Sequence, residues 1–213
     1  MGPDEVQLRQ ATALTFEGYV TGEGWRTATL SSCPSCGGPV TSHGTYLRKV
    51  PRPAEVARFY CSRCRMTIGL LPDFYASRIP GLLEEIEDAV ASAEASRSVE
   101  EAAERARPAE EEKAVTLATA VRWVRRRLAW VHSLLATVLG LFPERFEGCT
   151  PTVASFRQRL GTTRALVGLR GLCERYLGVL AAPLGLVGSS AGRVIRRRGL
   201  QQSTGPDPPP SLP

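Results

Sequence analysis

The chain has 213 residues, enough for one or two small domains and a tail, and carries 27 lysines and arginines against 21 aspartates and glutamates, a net charge of +6. No stretch of about 18 apolar residues runs free of charge. The best candidate, residues 165–187, is broken by Arg170, Glu174 and Arg175, which excludes a membrane span. The first residues do not resemble a secretory signal, so the expected compartment is the cytoplasm and the six cysteines are expected to be reduced.

The charge is segregated along the chain. Residues 1–80 hold 9 basic and 6 acidic groups, residues 81–112 hold 3 and 11, and residues 113–200 hold 15 and 3. This predicts an acidic connector between two basic modules, the second basic enough to concentrate near a polyanion. All cations but Lys49 and Lys113 are arginines, whose planar forks suit phosphate.

Residues 1–32 form a lead-in segment, in which residues 20–29 read as a short strand or loop with Trp25 set to cover the face of the cysteine-containing module. Residues 33–80 contain Cys33, Cys36, Cys61 and Cys64, two Cys-x2-Cys pairs separated by 24 residues. Two such turns supply the four thiolates that close a tetrahedral structural Zn²⁺ site, one ion per chain, in a zinc ribbon. Two disulfides or buried free thiols are the alternatives. With four sulfurs available, His43 reads as a turn residue with Gly44. Residues 45–50 and 56–60 read as strands, with Pro51 and Pro53 in the turn between them. The ribbon carries Arg48, Lys49, Arg63 and Arg65 among aromatic residues Tyr46, Phe59 and Tyr60, a combination suited to phosphate contact and base stacking. Many ribbons with such surfaces bind protein instead.

Residues 81–146 read as helical. Leu82, Leu83, Ile86 and Val90 recur at helical spacing, with Glu84, Glu85, Glu87 and Asp88 expected on the opposite face. Ser98 and Glu101 make a capping box that opens a short helix limited by Pro108. Residues 115–142 hold an apolar stripe of Leu117, Val121, Val124, Leu128, Val131, Leu135, Val138 and Phe142, predicting a helix of about seven turns ended by Pro143. In residues 147–184, Thr150 and Pro151 signal a further helix, interrupted at Gly161 and running towards Ala182. Residues 185–213 read as a disordered tail rich in Arg and Pro.

On the long helix, Thr119, Arg122 and Arg126 lie near the N-terminus on the side away from the stripe, with Arg125 beside them and Thr116 at the start, the equipment of a helix that enters a DNA major groove. A merely solvated face is the alternative reading. Trp123 and Trp130, seven residues apart, are expected to pack against the preceding short helix. Cys149 and Cys173 read as small buried hydrophobes, and His132 as a packing or solvent residue.

In order, Cys33-Pro34-x-Cys36-Gly37, His43-Gly44-x-Tyr46, Tyr60-Cys61-x-x-Cys64-Arg65-x-Thr67 and Leu70-Leu71-Pro72-Asp73-Phe74 resemble the N-terminal zinc-ribbon region of bacterial insertion-element transposases and their stand-alone relatives. The resemblance continues into a helix-turn-helix, with residues 98–103 as its first helix and Val115-Thr116-x-x-Thr119-x-x-Arg122-Trp123 as the start of its recognition helix. It covers about 100 residues and implies an α+β chain: a four-cysteine zinc ribbon of short antiparallel strands, then an all-α helix-turn-helix-like region with long helices. Two departures stand out. Residues 107–114 are an extended acidic segment where a compact turn belongs. After Glu112 only Glu144, Glu147, Glu174 and Asp207 are acidic, too few for the metal-binding carboxylates of strand transfer. The expected function is therefore a non-catalytic, zinc-containing protein that binds double-stranded DNA in the nucleoid. A zinc-ribbon adaptor that binds protein, or itself through the C-terminal helices, is the alternative, and no small-molecule substrate or membrane is expected.

Overall fold

The computed structural model describes residues 5–106 and 116–186. Among them are four strands and six helices, an α+β arrangement. The strands β1 (Glu5–Gln10), β2 (Thr41–Arg48), β3 (Ala54–Cys61) and β4 (Met66–Pro72) form one sheet in the order β1-β4-β3-β2. The meander β2-β3-β4 is antiparallel, whereas β1 joins the far edge parallel to β4, with Val6 opposite Ile68 and Leu8 opposite Leu70. The lead-in residues thus supply a strand. They also supply helix α1 (Phe16–Thr21), which takes residues 20 and 21 of the span 20–29, the rest being turn and loop as expected; Thr15 caps the helix by accepting the Gly18 amide at 3.2 Å. His43 and Gly44, expected as a turn, lie inside β2. Gly44 takes φ 75° there, and the pairing slips between Ser42 and Thr45, a bulge that needs a residue tolerant of the left-handed region.

Alternation along the strands directs Val6, Phe59, Cys61, Met66, Ile68 and Leu70 into a small core, with Trp25, Ala28 and Leu30 packed over it. Trp25 also touches the main core. That larger core takes in Leu71, near the end of β4, and Ala54, at the start of β3. It gathers Phe74 and Tyr75, helix α1, and the helices α2 (Leu83–Glu94), α4 (Leu117–Leu141), α5 (Val153–Leu160) and α6 (Ala165–Leu172). Phe16 and Tyr19 meet Phe74 edge-on at centroid distances of 5.7 and 5.2 Å, which fixes α1 to the end of the sheet.

Helix α3 (Val99–Ala106) opens with half of the expected box: Ser98 Oγ accepts the Glu101 amide at 3.1 Å, while the Glu101 carboxylate reaches back to the Arg97 amide at 2.9 Å, one residue before the cap. Its Ala102 and Ala103 meet Ala120 and Val124 of α4 in a third, alanine-rich cluster, where small side chains let the helices approach closely. The buried stripe of α4 is rotated from the one expected. Ala120, Val124, Arg127, Val131, Leu134, Leu135 and Val138 are buried, while Leu117 is exposed and Val121 and Leu128 are only half-buried. Contact with α3 sets this phase, since the alanine face of α3 admits Ala120 rather than Leu117.

The cap of α5 is Thr152, two residues beyond the expected Thr150, and accepts the Ser155 amide at 3.3 Å. Gly161 ends α5 at φ 60°, after which α6 and a short 3₁₀ turn at Glu174–Tyr176 replace one continuing helix. Gly185 and Leu186, assigned by sequence to the tail, remain packed: Leu186 is buried and its amide donates to Leu177 O at 2.7 Å. The acidic segment 107–114 and the tail from residue 187 lie outside the described residues.

Glu87, expected on the outer face of α2, is fully buried. It accepts the Ala165 and Leu166 amides at 2.9 and 2.8 Å and the Arg157 Nε at 2.7 Å, so it caps α6. Seven residues on, Glu94 accepts the Val153 amide at 2.9 Å and the Ala154 amide at 3.3 Å, capping α5, and also pairs with His132 Nε2 at 2.9 Å. Arg170 is likewise fully buried. Its Nη groups donate to the carbonyls of Asp73, Tyr75 and Pro183 at 3.1, 2.5 and 3.0 Å, tying α6 to the chain that leaves the sheet.

Candidate metal centre and basic helix face

The first cysteine pair is held by a tight turn in which the Gly37 amide donates to Cys33 O and the Cys33 amide to Gly38 O, both at 2.9 Å. The second pair occupies the β3–β4 turn: Cys61 ends β3, Arg65 takes φ 53°, and Met66 opens β4 opposite Cys61. The sheet therefore delivers two sulfurs from a strand end to two from a preceding loop. Cys33 and Cys64 Sγ lie 3.9 Å apart, Cys36 and Cys61 Sγ 3.7 Å apart, and all four lie within 4.8 Å of one another. A disulfide needs about 2.05 Å, so none is formed. A tetrahedron with metal–sulfur bonds of about 2.3 Å has edges of about 3.8 Å. The four sulfurs thus match a metal ion in both number and spacing.

Backbone amides support the sulfurs. Gly38 N points at Cys36 Sγ at 3.4 Å and Cys64 N at Cys61 Sγ at 3.5 Å, both of which favour thiolate. Hydrogen bonding from Cys64 lowers the pKa of Cys36, while the same interaction raises that of Cys64.

The basic residues expected around this centre divide. Lys49, Arg63 and Arg65 are exposed. Arg48 is turned inward: it donates to Ala76 O at 2.6 Å and Ile79 O at 3.2 Å, lies 4.6 Å over the Tyr75 ring, and has its pKa lowered by burial. It braces the sheet against the segment that follows β4, and its guanidinium is already engaged.

On α4, Thr116 is the N-cap. Its Oγ1 accepts the Thr119 amide at 3.3 Å and lies 2.9 Å from Thr119 Oγ1, which in turn accepts from Arg122 Nη2 at 3.3 Å. The two threonines therefore begin the helix and orient Arg122. Arg125 reaches across to Glu100 of α3 at 2.8 Å. Arg122 and Arg126 are exposed and have no carboxylate partner among the described residues.

Trp123 does not pack against α3 as expected; it is 38% exposed and carries the Arg127 guanidinium 3.5 Å from its ring centroid. Trp130 is half-buried against the main core. With Pro80, Thr119, Arg122, Arg126 and Arg127, these two indoles line a groove of about 390 Å³. Cys173 is buried as expected, which pushes its thiol up to about 11, and Cys149 is half-buried.

Sequence reasoning missed Glu87, Glu94, Arg127 and Arg170 as interior groups. A signal existed: Glu87 falls four residues after Leu83 and three before Val90, and Arg127 three after Val124 and four before Val131, so both sit within an apolar stripe. No family model, curated protein or solved structure matches the chain.

Proposed function

We propose that the protein is a non-catalytic DNA-binding protein in which the four cysteines hold one structural Zn²⁺ in a zinc ribbon and the N-terminal part of α4 contacts duplex DNA. The observation that carries this reading is the exposed face of α4, where Arg122 and Arg126 stand one turn apart, free of carboxylates among the described residues, with Arg122 oriented by Thr119. Zinc suits four thiolates at tetrahedral spacing, and its part is to fix the β3–β4 turn so that Arg63 and Arg65 stand at a defined edge. Helices α3 and α4 would serve as the two helices of a helix-turn-helix, in keeping with the resemblance to the recognition end of insertion-element transposases. Arg125 then acts as a brace to Glu100 rather than a primary contact.

Duplex selection followed by binding at several salt concentrations tests this. Arg122→Ala and Arg126→Ala should leave folding intact and each weaken binding by about 1–3 kcal/mol if the side chain reads a base, or by less and without sequence preference if it meets phosphate. Binding by the parent should fall steeply as salt rises. Equal binding by parent and folded variants across salt would remove the DNA reading and leave this face as a protein-docking surface.

A further inference from the structure

The groove beside α4 holds a cation that meets no carboxylate among the described residues. Arg127 is 8% exposed, its Nε is buried without a hydrogen bond, and Nη1 reaches only Trp123 O at 3.5 Å. Arg170, more deeply buried and likewise unbonded at Nε, engages its Nη groups with carbonyls. Arg157, half-buried, meets Glu87 and Asp88. Arg127 has neither arrangement; it is flattened against the Trp123 ring and borders the groove that Arg122 and Arg126 enter from the solvent side. A largely desolvated guanidinium with a single long bond to a carbonyl gains strongly from an anion that meets it. Burial, together with the neighbouring Arg126 charge, lowers its pKa to about 10, so the side chain is still cationic at neutral pH.

We propose that this groove is a phosphate-binding site in which Arg127 is the fixed interior cation, Arg122 and Arg126 close over the anion from outside, and the Thr119 hydroxyl holds Arg122 in place. Three guanidiniums over-match a carboxylate and suit a phosphate group, whose several oxygens accept from more than one fork. The walls of Trp123, Trp130 and Pro80 keep water away from one side of the anion. That the phosphate belongs to a nucleic-acid backbone rests on the proposed DNA-binding role of α4; the chemistry of the site does not.

Indole fluorescence provides the test, with inorganic phosphate as the probe at constant ionic strength and chloride as the comparison. Saturable quenching is expected, reduced in Trp123→Phe. Affinity should fall at least tenfold in Arg127→Met and in the Arg122→Ala/Arg126→Ala double variant, and stay unchanged in Arg145→Ala, an exposed arginine outside the groove. Should Arg127→Met fail to fold by circular dichroism, Arg127→Lys, which keeps charge but loses the fork, must still weaken phosphate binding. A duplex that displaces phosphate from the parent identifies the backbone as the source. Phosphate binding without any duplex binding keeps the site, assigns it to a free phosphate ester, and removes the DNA reading. Absence of phosphate-specific quenching, or undiminished affinity in the folded Arg127 and double variants, overturns the proposal.

Discussion

Glu87 shows how much one carboxylate can organise. It satisfies two buried amides that begin α6 and the guanidinium of the half-buried Arg157. Removing one member of such a buried set leaves the others unpaired, at a cost of about 3–5 kcal/mol. Glu87→Ala should lower stability by that order in denaturant titration, and Glu87→Gln by less, because the amide oxygen still accepts from one N–H. Asp88, its exposed neighbour, titrates differently. Desolvation pushes its pKa up, but hydrogen bonds from Arg164 and Arg157 outweigh it and hold the carboxyl below its ordinary 3.8. A depressed folded-state pKa contributes stability that is complete above the unfolded value and is lost as pH falls through the folded one. Stability should therefore decline below about pH 4, and Asp88→Asn should flatten that decline; unfolding curves at pH 6 and pH 3 check the difference. The effect is expected to be small, since solvent screens both partners.

At the level of elements, the cysteine turns and α4 make separable predictions. Cys61 and Cys33 are buried in the small core of the sheet, so loss of the ion should loosen the turns before the helices. Metal analysis should find one zinc per chain. Chelation, or Cys61→Ser, should speed amide exchange at residues 33–38 and 61–66 while α4 to α6 stay protected; a zinc-free protein with protected turns would refute the assignment. The four sulfurs were legible because turn spacing alone brings two cysteines together, and the start of α3 because Ser98 and Glu101 act within one turn. Strand β1 was not legible, since its partner β4 lies some 60 residues away and a parallel edge leaves no local mark. The phase of α4 was missed for a related reason. Leu117 satisfies the helical period, but the alanines of α3 decide which side is covered, and that information lies on another helix.

Across the molecule, the separation of charge along the sequence is largely undone in space. The α2 part of the acidic stretch is not a spacer between two basic modules, because Glu84, Glu87 and Asp88 meet Arg157 and Arg164 of the C-terminal helices. Arg9 of β1 is matched by Asp73 and Glu174. Among the described residues, exposed cations without a carboxylate partner include Arg122 and Arg126 on the early turns of α4 and Arg63 and Arg65 at the cysteine turns. Helix α2 has one more property. Glu87 and Glu94 are two turns apart, about 10.5 Å along the axis, close to the spacing of two packed helices. Because each carboxylate seats the start of a different helix, α2 works as a measuring rod for the C-terminal half: the distance between the origins of α6 and α5 is written in its residue count. A single residue inserted between the two glutamates would turn one of them by about 100° away from its helix, whereas substitutions on the outer side of α2 leave the gauge unaltered.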